Sequence, residues 1–244
     1  QKDRSPKSVF VLGVYASAVH ARWLDAQGRT LVRAMAVASE PEIFWKGQNA
    51  SDIISGIKVP EGAGTLIPAD PRLNGPSGRA LDALFLEPLG YGRSSAWLCD
   101  LLPESRMNPG QLKALERAYH PRMGKFGLPE PSIPPFSKGE SDTDRRRQEI
   151  LDELVMSEAD LLITLGDDPL RQFIGPLSGL RERTLRMFVE KAGAYGRPLP
   201  VDLAGHRVQL IALCHPRQAA GLGMSNMGWK AAHGNWIASK PLMA

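Results

Sequence analysis

The chain has 244 residues, of which 43% are hydrophobic, enough for a sizeable core and within reach of one α/β domain. The formal net charge is +4, which tolerates a polyanionic partner without requiring one. The two cysteines, Cys99 and Cys214, stand far apart in apolar runs and read as buried thiols, so no metal centre and no cofactor is expected. No apolar run is long enough to cross a bilayer and no signal peptide is visible, so the expectation is an intracellular, cytoplasmic protein.

In chain order, the polar start through Ser8 reads as a frayed end, and "SVFVLG" (8–13) follows as a buried strand. Residues 18–38 then read as a β-hairpin turning near Ala26-Gln27-Gly28. "SGRALDALFLEPLG" (77–90) has Leu81, Leu84 and Phe85 on one helical face and stops near Pro88. "AWLCDLL" (96–102) is a second apolar strand. "NPGQLKALERAYH" (108–120) is a helix with Pro109 in its first turn, and a Pro-rich surface loop covers 127–143. The next helix carries Ile150, Leu151, Leu154 and Val155 at helical spacing, with Arg145–Arg147 as a solvated face. "DLLITLG" (160–166) is a third strand, and the helix behind it takes Asp168 as N-cap before Pro169. "RVQLIALCHP" (207–216) is a fourth, followed by a glycine-rich, cationic, aromatic loop to Trp236. Strands alternating with helices predict a three-layer α/β/α sandwich on a central four-stranded parallel sheet, with the hairpin inserted, as a single domain over 1–244.

In such a sheet ligands gather at the carboxyl ends of the strands. Those ends carry Gly13-Val14-Tyr15-Ala16-Ser17, Asp100 to Pro103, Gly166-Asp167-Asp168 and His215-Pro216-Arg217. A glycine there lets a backbone N–H approach a ligand, and a histidine can donate a hydrogen bond to developing negative charge.

The ordered set G13-V-Y-A-S17, S77-G-R-A-L-D82, W97-L-C-D-L-L-P103, L161-L-I-T-L-G166 and L213-C-H-P-R217 resembles the uracil-DNA glycosylase superfamily. The resemblance covers most of the chain outside the hairpin and the Pro-rich loop. It is nearest the branch that holds an iron–sulfur cluster in some members, but the cluster cysteines are absent. The resemblance implies a monomeric enzyme of base excision repair, which flips a damaged or deaminated base out of DNA and hydrolyses its bond to the sugar. His215 matches the neutral donor that stabilises the departing base anion. Gly13, Val14 and Tyr15 would hold the base edge. Leu222 or Met224, flexed by Gly221 and Gly223, would wedge into the stack. Pro216 belongs to the same DNA-facing segment, Arg217 and Lys230 would meet phosphates, and Ser17, Ser77 and Gly78 complete the expected DNA contacts.

The chain departs from the family pattern at several of these places. Tyr15, or Ala16 if the register slips, stands where many relatives carry the residue that activates water; Tyr15 serves poorly as a base near neutral pH, and His20 or Asp70 are the substitutes. Asp100 replaces a base-reading asparagine, so it suits a donor-rich base edge, is protonated, or marks loss of uracil chemistry. Leu73 takes the place of the stacking aromatic, for which Phe44 or Trp45 are alternatives, and Arg217 replaces a serine. A catalytically inactive member that binds DNA or a nucleotide through the same cleft is the alternative, with a nucleoside hydrolase as a third reading.

Overall fold

The structure is a computed structural model that describes residues 3–222 and 227–239. The strands of the described residues are, in chain order, β1 (Val9–Tyr15), β2 (Ala18–Leu24), β3 (Thr30–Ser39), β4 (Thr65–Pro68), β5 (Ala96–Leu102), β6 (Leu161–Leu165), β7 (Leu199–Leu203) and β8 (His206–Leu213). The chain gathers into two compact units.

The first unit comprises Gln1–Val14, Arg79–Pro103 and Gly139–Ala244. It is a mixed α/β unit built on a five-stranded, mostly parallel sheet of order β5-β1-β6-β8-β7, flanked by helices. β1, β6 and β8 are parallel neighbours, in register at Val11, Ile163 and Ile211. Every residue of β5 and β6 is buried, which is why these strands read as unbroken apolar runs. Phe10 of β1 stacks on Trp97 of β5 with ring centroids 6.4 Å apart. The indole Nε1 of Trp97 donates to Glu153 on the helix Asp144–Ser157, and this fixes that helix on the Trp97 side of the sheet.

The expected sheet of four parallel strands is corrected to five, because β7 adds antiparallel to β8. β7 reads Leu-Pro-Val-Asp-Leu, alternately exposed and buried, with a proline that a central strand does not accept. Its apolar signal is half that of a central strand, and its pairing with β8 is what defines it. The arginine run is corrected too. Arg145 is 87% exposed, but Arg146 is only 13% exposed. Arg146 donates from Nε to the Leu101 carbonyl and from Nη2 to the Asp100 carbonyl, so one member of the run holds β5 rather than facing water.

Two further boundaries move. Gly166, with φ 91°, is the N-cap of the helical run that follows β6, and Asp168 lies inside that run, paired with Arg171. The glycine-rich segment after His215 is not a loop throughout. Pro216–Ala219 forms a short helix and Met227–Ala238 a longer one. Gly228 and Gly234 weaken the helical signal, yet Trp229, His233 and Trp236 recur at helical spacing and turn inward, His233 and Trp236 being buried. Tertiary packing of these rings overrides the low propensity.

The second unit comprises Tyr15–Gly78 and Glu104–Lys138. The hairpin read from the sequence is β2–β3, turning at Asp25–Arg29, where the Asp25 carboxylate accepts from the Gln27 and Arg29 amides. The hairpin has a third partner, β4, which pairs antiparallel with β2. Val19, Ala21, Trp45 and Ile54 form one apolar cluster; Trp23, Val32, Met35 and Ala118 form another. The helix Pro109–Ala118 is capped by Asn108, whose side chain accepts from the Gly110 and Gln111 amides.

Candidate functional site

Within the first unit the informative place is the carboxyl end of β6 and β8. The Gly166 N–H donates to the Leu213 carbonyl at 2.8 Å, which ties the two strand tips together. A Cβ on Gly166 would lie 3.9 Å from the His215 Cβ, so the imidazole stands beside this glycine. The positive φ of Gly166 explains why the strand must end in glycine here.

His215 is the N-cap of the helix Pro216–Ala219. Its Nδ1 accepts the Arg217 backbone N–H at 3.2 Å, and its own N–H donates to Gln218 Oε1 at 3.1 Å. Burial first, and the positive Arg217 second, bring its pKa down to about 4. The imidazole is therefore neutral near pH 7. Because Nδ1 is an acceptor, the ring proton belongs on Nε2, which has no protein partner among the described residues. The geometry yields an uncharged N–H donor, oriented by the backbone that follows it.

Behind this tip lies a partly buried relay. The Tyr195 hydroxyl accepts the Cys214 N–H at 3.0 Å and lies 2.7 Å from His233 Nδ1. His233 Nε2 lies 2.9 Å from the Leu84 carbonyl, to which it donates, leaving Nδ1 to accept from Tyr195. Burial pushes the Tyr195 and Cys214 pKa values up and that of His233 down, so all three groups are uncharged. The relay fixes Cys214, the residue immediately before His215. Neither Tyr195 nor His233 was singled out from sequence; Tyr195 sits in a glycine-flanked connection with no periodic signal.

Asp100 is buried on β5, with its backbone carbonyl held by Arg146. Its place in the sheet order puts β1 and β6 between it and β8, about 14 Å at the usual strand spacing. Gly13 and Val14 lie within β1, which runs on to Tyr15 instead of stopping at Gly13. Pro216 is buried and opens the short helix, and Arg217 and Leu222 are partly exposed. Lys230 is exposed on the helix Met227–Ala238, its side chain beside Gly221. Met224 and Gly223 lie outside the described residues.

The second unit holds the remaining positions. Tyr15, the last residue of β1, stacks on Phe136 with centroids 4.7 Å apart and planes 22° apart. The Ser17 carbonyl accepts from the Ser105 hydroxyl, and Ser105 Oγ accepts the Glu40 N–H at 3.0 Å. Burial pushes the Glu40 carboxyl up to about 8, opposed by the Ser17 backbone N–H. Glu40 thus carries a proton at neutral pH beside the segment that follows β1. In the sequence it is one acid in "SEPEIF", and only the closure of β2 on β3 gives it its surroundings.

Leu73 is exposed in the short turn Pro71–Leu73, which Asp70 caps while pairing with Arg72. His20 is buried, next to Gln111, and Trp45 is fully buried in a core cluster, so neither presents itself to a base. Ser77 is half-buried in the helix Pro76–Leu81. A Cβ on Gly78 would fall 2.1 Å from the Phe44 carbonyl oxygen, so this glycine is required by close backbone packing.

No helix among the described residues is long and apolar enough to cross a membrane. Neither the protein-family models nor the curated proteins give a match to this chain.

Proposed function

We propose that the chain is a DNA N-glycosylase that hydrolyses the bond between sugar and base at a flipped, damaged or deaminated nucleotide. The observation that carries this reading is the His215 imidazole at the tip of β8, uncharged at neutral pH, with its proton on an Nε2 that has no partner among the described residues. In the reaction the glycosidic bond breaks with its electron pair going to the base. Water adds to the anomeric carbon, and the proton it loses passes through solvent to the departing base anion. The charge that accumulates on a base oxygen is met by the His215 N–H, a preorganised donor that costs no reorganisation. A carboxylate at Asp100 accepts only, which favours a base edge that presents donors, such as an exocyclic amine or a ring N–H. Arg217 and Lys230 supply positive charge for the phosphates on either side.

The alternative is a DNA- or nucleotide-binding protein without excision. It is favoured by the Tyr15 ring, stacked on Phe136 where relatives of the resembled family often carry a carboxylate or amide. The test is base release from oligonucleotides carrying uracil, hypoxanthine, xanthine or mismatched bases, read as alkali-labile abasic sites. Excision that is lost in His215→Ala and largely kept in Arg217→Ala supports a glycosylase. Salt-dependent binding with no abasic product on any substrate overturns it in favour of the non-catalytic reading. Release of base from free nucleosides, with none from the oligonucleotides, points to a nucleoside hydrolase.

A further inference from the structure

The hairpin unit carries two recesses that lie side by side along β3, the edge strand of its sheet. The larger, about 600 Å³, is lined by Arg29, Arg122 and Lys125, with Phe126 in its wall and Asp25 as its acid. The smaller, about 360 Å³, is lined by Arg33 and Arg117 and by no acid at all. Leu31 belongs to both, so they form one track. Arg33, Arg117 and Lys125 pair with no carboxylate among the described residues; Lys125 lies 5.0 Å over the Phe126 ring. Arg29 is engaged by Asp25, and Arg122 donates to the Ala118 carbonyl. Glu116 is the remaining acid on the helix Pro109–Ala118, with Lys113 on the same helix. Positive charge is therefore concentrated where an edge strand and two helix ends meet, with little of it neutralised internally.

We propose that this track on the hairpin unit binds the phosphodiester backbone of nucleic acid. Arg29 stands just before β3 and Arg33 on it, four residues and about 14 Å apart at about 3.4 Å per residue, which suits an extended polyanion rather than one compact anion. Arginine forks suit phosphate oxygens. The five cations outnumber the other polar side chains of the two recesses, Asp25, Gln27 and Thr30, so phosphate contacts dominate over base readout. The inference does not depend on base excision, and it assigns a role to the part of the chain that the glycosylase resemblance leaves uncovered.

The experiment is fluorescence anisotropy with labelled, undamaged 20-nucleotide DNA, single- and double-stranded, and an RNA of the same length, between 50 and 300 mM salt. The variants are Arg33→Glu/Arg117→Glu and Arg122→Gln/Lys125→Gln, with Arg145→Glu on the helix Asp144–Ser157 as the control. Thermal melting of each variant separates loss of contact from loss of fold. If the track meets phosphates, each double variant weakens binding at least tenfold at 50 mM salt. It also lowers the slope of log K against log salt by about 0.7 to 0.9 for each contact removed, while Arg145→Glu leaves the slope alone. Equal behaviour of DNA and RNA identifies the shared backbone as the ligand; a difference identifies the strand type preferred. Unchanged affinity and slope in folded double variants, or an equal loss in Arg145→Glu, overturns the proposal. Base release is measured separately on damaged oligonucleotides, so its absence leaves this result intact.

Discussion

His215 and Glu40 stand in different units of the molecule and reach the same state by opposite routes. Burial lowers the pKa of the imidazole to about 4 and raises that of the carboxyl to about 8. Both are uncharged at pH 7, since a poorly solvated site disfavours whichever form carries charge. The difference lies in what surrounds them. His215 has its Nδ1 committed to the Arg217 amide and no partner for its Nε2–H among the described residues. Glu40 has its backbone N–H committed to Ser105, and its carboxyl keeps the proton. One group is set to donate without changing charge; the other is set to titrate near physiological pH.

Removing each group in turn separates the two roles. On the proposed glycosylase reading, His215→Ala should cut base excision about 10²- to 10³-fold, roughly 3–4 kcal/mol of barrier, while loss of the N-cap costs only about 1 kcal/mol of stability. Glu40→Gln should act on stability instead. Its folded pKa lies above the ordinary 4.5, so the native state holds the proton more tightly and wild-type stability falls as pH rises from about 4.5 to about 8. The slope can reach about 1.4 kcal/mol per pH unit, and denaturation of Glu40→Gln across that window should be flatter and end higher at alkaline pH. The sign is reversed for His215: its folded pKa is below 6.5, so its contribution is present above pH 6.5 and lost as pH falls through about 4. The two slopes together predict greatest stability on the acid side of neutrality. A wild-type profile that rises steadily from pH 5 to 9 would contradict it.

Smaller effects sharpen the picture. Tyr195→Phe removes the acceptor for the Cys214 N–H and the donor to His233 Nδ1, so it should cost about 1–3 kcal/mol by urea denaturation. It should also slow excision more than it weakens DNA binding, because Cys214 fixes the backbone entering His215. Gly78→Ala should destabilise by about 1–3 kcal/mol through its collision with the Phe44 carbonyl, whether or not DNA is present. At the bottom of the scale, Arg145→Ala should change stability by less than about 0.5 kcal/mol, whereas Arg146→Ala should cost more, its guanidinium being bonded to two β5 carbonyls.

Much of the sheet was legible because strands buried on both faces must be largely apolar: β1, β5, β6 and the second half of β8 announce themselves, while the first half of β8, beside β7, alternates. β7 did not, since an edge strand buries one side and its five residues include a proline. The helix Met227–Ala238 was hidden by its glycines, and Glu40 by an unremarkable acidic loop. Tyr195 and His233 meet only after 38 residues of chain have folded back.

The order of residues alone encodes the alternation of apolar strands with helices, the hairpin and its turn, and the delivery of a histidine to the end of the last parallel strand. These follow from local periodicity and turn chemistry, which are properties of neighbours in the chain. Tertiary structure decided the fifth strand, the protonation of His215 and Glu40, and the gathering of arginines along β3. Each depends on how far a group is removed from water and on which distant charges approach it, and no spacing within the chain encodes those distances.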